Sequence, residues 1–170
     1  MPLDARDTRD APDAQLAARA ANGDRAALEA LLDRHADRVY AVCCRIVGNP
    51  DDAHDATQDA LLAITRGINR FNGASTFTTW LYRVATNAAL DEVRRRSRRP
   101  TPFDVLPERV DAGAPESRID DQLMIDAALR DVPVDFRAPL VLRDLADLDY
   151  AQIGAILDIP PGTVRSRIAR

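Results

Sequence analysis

Five arginines, Arg94, Arg95, Arg96, Arg98 and Arg99, stand almost side by side in a chain whose net charge is −4. A guanidinium is a planar fork that pairs with phosphate oxygens two at a time. The residues that lead into the run, RVATNAALDEV from Arg83, predict a helix with two unlike faces. At 100° per residue, Arg83, Asp91, Arg94 and Arg98 fall within about 40° of Asn87, whereas Leu81, Ala85, Ala88, Ala89 and Val93 fall on the far side. An amide able to pair with a base edge therefore sits among groups suited to phosphate, the mixture used in nucleic-acid recognition. Trp80 joins the polar side, where a flat indole can stack on an unpaired base. Upstream, Phe71 and Phe77 flank Asn72, Gly73, Ala74, Ser75 and Thr76, a composition suited to holding an extruded base. The competing readings are core packing for each phenyl ring, and for the arginines a solvated helix end favoured by the helix dipole.

Two further stretches carry chemistry. Tyr150 to Arg170, YAQIGAILDIPPGTVRSRIAR, has the layout of a helix-turn-helix. Ile153, Ile156, Leu157, Ile159, Val164 and Ile168 form an inner seam, Asp158 to Pro161 makes the turn, and Arg165, Ser166, Arg167, Ala169 and Arg170 are left outside. Between Pro50 and Ile68, Asp51, Asp52, Asp55, Gln58, Asp59 and Leu62 share one helix face, and Ala53, Ala56, Thr57, Ala60 and Ile64 the other. That acidic face repels DNA and reads either as solvated charge or as a docking surface for a basic partner.

A metal-dependent phosphohydrolase is the enzyme alternative, with His54-Asp55 completed by His35 and Asp91. His35 falls on an apolar stripe and Asp91 on the arginine face, so the set is not expected to converge. A DNA-binding regulator acting through the C-terminal hairpin alone is a second alternative. Cys43 and Cys44, the two cysteines of the chain, fit neither a disulfide framework nor a zinc spacing and read as buried thiols, with redox sensing as the alternative.

These residues need elements to hold them. With 46% hydrophobic and 5% aromatic residues and 7 glycines, the composition favours helix. Ala14–Ala21, Asp24–Val47, Pro50–Ile68 and Thr78–Arg96 read as helices, as do Ser117–Asp131, Asp135–Ala146, Tyr150–Leu157 and Pro161–Arg170. Asp24 and Asn49 are capping residues, and Leu28, Leu31, His35, Val39, Val42 and Ile46 recur at helical spacing. Pro100, Pro102, Pro107, Gly113 and Pro115 mark a linker. The expected fold is all-α: two small helical domains, an N-terminal bundle over 14–97 and a C-terminal helix-turn-helix bundle over 118–170, joined by a Pro-containing linker over 98–117. Charge is segregated likewise, since residues 63–100 carry eight arginines against two acids. The N-terminal stretch lacks a signal-peptide core and no run approaches a membrane span, so a cytoplasmic chain without membrane insertion is expected.

DDAHDATQDALLAITRGINRF, FNGASTFTTWLYRVATNAALDEVRRR and YAQIGAILDIPPGTVRSRIAR, taken in this order, resemble bacterial RNA polymerase sigma factors of the extracytoplasmic-function class. The resemblance spans roughly 14–97 and 118–170. It implies a stress-response transcription factor that binds core RNA polymerase and promoter DNA, needs no cofactor, is not an enzyme, and is restrained by an anti-sigma factor. The minus-ten element would be met by the loop bearing Phe71, Asn72, Ser75 and Phe77, by Trp80, and by Arg83, Asn87, Asp91, Arg94, Arg95 and Arg98. The minus-thirty-five element would be met by Thr163 to Arg170. Of these, Arg165, Ser166 and Arg170 match the family's DNA-contacting positions, Arg167 lies between them, and Ala169 stands where many members carry a bulky aromatic. Asp52, Asp55, Gln58, Asp59 and Leu62 would dock on the polymerase. Arg170, the last residue, falls inside the recognition helix, which is expected to run on by further turns.

Overall fold

The computed structural model describes residues 11–98 and 118–170, with the side chains of the second stretch from Met124 onward. Helices α1 (Asp13–Ala21), α2 (Arg25–Val47), α3 (Pro50–Gly67) and α4 (Phe77–Arg98) form the first unit, with a short 3-10 turn at Ile68–Arg70 after α3. Helices α5 (Arg118–Asp131), α6 (Val134–Ala146), α7 (Tyr150–Leu157) and α8 (Pro161–Ile168) form the second. No strand occurs among the described residues.

The helix ends follow from local chemistry. Asp24 accepts from the Ala27 amide at 3.1 Å and takes Arg19 Nε at 2.8 Å, so the cap of α2 is also bound to α1. The Ala27 amide, then Arg19, hold the Asp24 carboxyl below its usual pKa. Helix α2 ends on Gly48 in the left-handed region at φ 77°, and a Cβ there would stand 3.1 Å from Arg137 Nη1. Glycine is needed at that position for the turn and for the close approach alike. Asn49 Oδ1 accepts from the Asp51 and Asp52 amides, with Pro50 in the first turn of α3. Thr76 Oγ1 accepts from the Thr79 amide at the start of α4.

The first core is built from Leu31, Val39, Val42 and Ile46 of α2, Ala53, Ala56, Ala60 and Ile64 of α3, and Leu81, Ala85 and Ala89 of α4, all essentially without exposure. The alanine stripe of α3 lets its backbone lie close to its neighbours, and Leu16 and Ala17 of α1 close one side. Each fully buried leucine contributes roughly 2 kcal/mol. In the second unit Val141, Leu142, Leu148, Ile153 and Val164 make the seam. Asp149 and Gln152 form a reciprocal capping box at the start of α7.

The two units touch. Arg45 of α2 pairs with Asp126 of α5 at 2.7 Å, and Gln152 Nε2 of α7 donates to Thr79 Oγ1 of α4 at 3.3 Å. Leu90 and Val93 of α4 share a cavity of about 220 Å³ with Val134 and Ala138 of α6 and Ile159. Arg137 is buried where the units meet and donates through Nη1 to the carbonyls of Leu129 and Arg130 at 3.2 and 3.3 Å, capping the end of α5. Burial lowers its pKa.

Candidate nucleic-acid interface

Helix α4 presents the two faces its sequence predicts. Arg83, Asn87, Asp91, Arg94 and Arg98 are exposed, while Leu81, Ala85 and Ala89 are buried. Asn87, Asp91, Arg94 and Arg98 line an open groove of about 780 Å³ whose opposite wall carries Asp59 and Ala63 of α3. Asp91 accepts from Arg94 at 2.8 Å, which holds that guanidinium on the groove side.

The loop before α4 rests on an aromatic cluster. Phe77 is buried, so core packing holds for that ring, and Phe71 meets it edge-on at 6.0 Å and 86°. Trp80 is half-buried, 5.6 Å from Phe71 and 5.9 Å from Phe77. Its indole thus leans on the rings as much as it joins the polar face. Above them, Asn72 to Thr76 are exposed, and Asn72 Oδ1 accepts from the Ala74 amide at 3.1 Å, giving the loop a defined turn. Ser75, Thr76, Trp80 and Arg83 face Gln152 and Ala155 of α7 across a cleft of about 400 Å³.

Beneath this cluster lies His35, almost without exposure, with its ring 5.6 Å from Phe77. Its Nε2 meets Asp13 Oδ2 at 2.7 Å, and Arg34 also donates to Asp13. Burial alone would raise the Asp13 pKa, but its bonds to Arg34 and His35 and their charges outweigh that and hold it below its usual value. The other members of the enzyme set lie elsewhere: His54 stacks obliquely on Tyr40 at 5.1 Å, and Asp91 pairs with Arg94. Among the described residues no group of three or more metal-ligating side chains converges. Cys43 is buried, and burial pushes its thiol pKa to about 11.

On α3, Asp51, Asp55, Gln58, Asp59 and Leu62 are exposed, and Leu62 keeps 50% of its surface open. The acidic and basic ridges are not independent, however. Arg95 Nη2 reaches Asp59 at 2.6 Å and the fully buried Glu92 at 2.9 Å, and Arg96 reaches Asp52 at 3.0 Å. The Asp59 hydrogen bond leads the causes that raise the Arg95 pKa. Two arginines of the run thus cross to α3, and Asp52 is largely covered, its side chain only 13% exposed. Glu92 is missing from any reading that treats charge as solvent-facing, although its angular position already lies on the apolar arc of α4.

On α8, Arg165 and Ser166 are exposed, Thr163 is half-buried, and Val164 anchors the inner side; the helix ends at Ile168, so Ala169 caps it and Arg170, expected inside the helix, follows its end, both exposed. Ser166 Oγ donates to the Thr163 carbonyl at 2.9 Å. Arg167 is half-buried and donates through Nη1 to the Asp135 carbonyl on α6 at 3.2 Å. Gly154 of α7 sets the turn between α7 and α8: its carbonyl accepts from the Ile159 amide at 3.0 Å.

Residues 31–99 match the family model for Sigma-70 region 2, and residues 122–170 the model for Sigma-70 region 4. The chain is 41% identical over 161 residues to the ECF RNA polymerase sigma factor SigE of Mycolicibacterium smegmatis, covering 88% of this chain and 62% of that one. It is 33% identical to the RNA polymerase sigma-H factor of Pseudomonas aeruginosa and 36% identical to the ECF RNA polymerase sigma-E factor of Escherichia coli K12, each match covering 93% of this chain and 89% of the relative. In fold it resembles CnrH, solved with the cytosolic domain of CnrY, at TM-score 0.65 and 23% identity over 93% of this chain and 90% of that one. It also resembles the sigma factor RpoE of Bartonella quintana, solved with the anti-sigma factor NepR, at TM-score 0.66 and 22% identity over 84% and 89%. Two ordered helical units, each matched by its own model, and full-length relatives above 30% identity place this chain among the RNA polymerase sigma factors of the extracytoplasmic-function class.

Proposed function

We propose that the chain carries core RNA polymerase to promoters by dividing the work among three surfaces. The exposed face of α3, with Asp55, Gln58 and Leu62 at its centre and Asp52 and Asp59 at its edge, docks on the polymerase. The α4 face of Arg83, Asn87, Asp91, Arg94 and Arg98 reads the minus-ten element, with the loop of Phe71, Asn72 and Ser75 and the Trp80 indole capturing an extruded base and the buried Phe77 supporting them from the core. Helix α8, through Thr163, Arg165 and Ser166, with Ala169 and Arg170 just past its end, reads the minus-thirty-five element in the major groove. The observation that carries this reading is the exposure of Asn87 amid arginines on a helix whose other face is buried at Leu81, Ala85 and Ala89.

The chain contributes address and melting, and the chemistry is the polymerase's. Unpairing a base costs a few kcal/mol, which phosphate contacts and stacking offset. No described helix is long and apolar enough to cross a membrane, which suits work in the cytoplasm. RpoE of Bartonella quintana is bound by an anti-sigma factor and CnrH by the cytosolic domain of CnrY; an anti-sigma partner is proposed here also.

The reading has a geometric consequence. Some 25 base pairs between the two elements span roughly 85 Å, whereas a compact 170-residue body is about 40 Å across. The contacts of α2 with α5 and of α4 with α7 must therefore open on the promoter. The stretch of about 20 residues between α4 and α5 reaches at most roughly 70 Å. Run-off transcription with purified core polymerase on a promoter library tests the reading. Specific starts that need both chain and core are expected, and duplex binding by the chain alone with no effect on transcription would overturn it.

A further inference from the structure

A proline inside a helix lacks the N–H that would bond the carbonyl four residues earlier. In α6 this proline is Pro139, which is buried, and the carbonyl it leaves without an intrahelical donor is that of Asp135. The oxygen finds its donor on another helix, since Arg167 Nη1 of α8 reaches it at 3.2 Å. Arg167 stands three residues after Val164, the buried anchor of α8, and one before the half-buried Ile168. These three positions share a helix face, whereas Arg165 and Ser166 lie off it.

Apolar contacts alone fix a short helix poorly in roll, because they have no direction. A hydrogen bond to a carbonyl at a set place on α6 supplies one. We propose that Arg167 is a positioning residue of the recognition helix: it occupies the acceptor released by Pro139 and sets the roll of α8, so that Arg165 and Ser166 face outward. The proposal rests on the reading of α8 as the minus-thirty-five reader, and it separates Arg167 from its arginine neighbours. They serve DNA directly, and it serves the helix.

The test compares the full chain with Arg167→Ala, Pro139→Ala and the double variant. Pro139→Ala restores an amide that can bond Asp135 within α6, so it should remove the need for Arg167. Arg167→Ala is expected to speed hydrogen exchange of the α8 amides about tenfold in the free chain, the effect of one charge-assisted hydrogen bond. With core polymerase, it should cut discrimination between an intact and an altered upstream element by a similar factor. The slope of log affinity against log salt should stay unchanged. In the Pro139→Ala background the same substitution should change neither exchange nor discrimination. A slope shallower by about 0.9, the mark of one lost phosphate contact, with α8 exchange unaltered, would overturn the proposal. The Arg167→Ala arm decides by itself if Pro139→Ala does not fold. Should the wild-type chain show no preference for an upstream element, the DNA reading of α8 fails, and exchange in the free chain still decides the role of Arg167.

Discussion

Gly154 and Gly162 lie in successive helices, and alanine should have opposite effects at the two. A Cβ at Gly154 would stand 2.6 Å from the Ile159 carbonyl oxygen, with Pro161 N and Cδ at 3.5 and 3.6 Å. The nearest atom is backbone, so no side chain can swing aside; the turn itself must give by roughly half an ångström or more. A contact this close to backbone puts the strain in the upper part of the usual overpacking range, about 2–3 kcal/mol, against roughly 1 kcal/mol gained from the better helix propensity of alanine. The expected net loss is about 1–2 kcal/mol, a fall in melting temperature of roughly 3–6 °C for a chain of this size. Because Ile159 leads into α8, the same shift should weaken protection of the upstream element in footprints with core polymerase more than that of the downstream one. At Gly162 nothing lies within 4 Å of the added Cβ, so alanine there should be neutral or stabilising by up to about 1 kcal/mol. Thermal denaturation followed by circular dichroism measures both. A Gly154→Ala chain that melts at or above wild type would refute the argument that the α7–α8 turn depends on this close approach.

Asp55 is exposed on α3, so Asp55→Arg should leave helicity unchanged while reducing capture of core polymerase about tenfold or more; undiminished capture would move the docking surface elsewhere. Asp13 has a folded pKa below the ordinary value of an aspartate, so its contribution to stability is fully present above that ordinary value and is lost as pH falls through the lower folded one. Denaturation midpoints taken from pH 6 downward should therefore fall in acid, and the fall should be shallower for Asp13→Asn. For the closed arrangement, cysteines placed at Thr79 and Gln152 in a Cys44→Ser background and joined by a short bis-maleimide should keep the fold but block run-off transcription. Normal transcription by the linked chain would mean that the α4–α7 contact need not open.

Much of this was legible because helical periodicity and capping chemistry are local. Asp24 and Asn49 cap the helices they announce, Gly48 ends α2, and His35 is buried on the stripe its spacing defines. Element ends moved by a residue or two, as with α4 beginning at Phe77 because the Thr76 hydroxyl takes the Thr79 amide. What was not legible depends on contacts between segments far apart in the chain. Gln152 is a capping-box member that also reaches Thr79 on α4. Arg137 is buried, and the end of α5 offers it two carbonyls. Trp80 illustrates the limit of helical angles: its backbone direction places it on the polar side, but the indole is long enough to lean across to Phe71.

The arginine run shows the same limit in a form that can be measured. Of its four described members, Arg94, Arg95 and Arg98 line the groove beside Asn87, but Arg95, like Arg96, is engaged by an acid of α3, Asp59 and Asp52 respectively. The Arg95–Asp59 and Arg96–Asp52 pairs are partly exposed and each is worth up to about 1 kcal/mol, so they matter more for where the guanidinium points than for stability. A count of charges would give every arginine a phosphate; the proposed reading gives one to Arg94 and one to Arg98. Each phosphate contact adds about 0.9 to the slope of log affinity against log salt. Arg94→Ala and Arg98→Ala should therefore each make promoter binding by the holoenzyme less salt-dependent by about that amount, while Arg95→Ala and Arg96→Ala should leave the slope nearly unchanged. Asn87→Ala should also leave the slope alone and instead reduce discrimination among downstream-element sequences, because an amide reads base edges and carries no charge. If all four arginine variants shift the slope equally, the pairs with α3 dissolve on DNA, and it is the groove as a whole, rather than two of its residues, that holds the phosphate backbone.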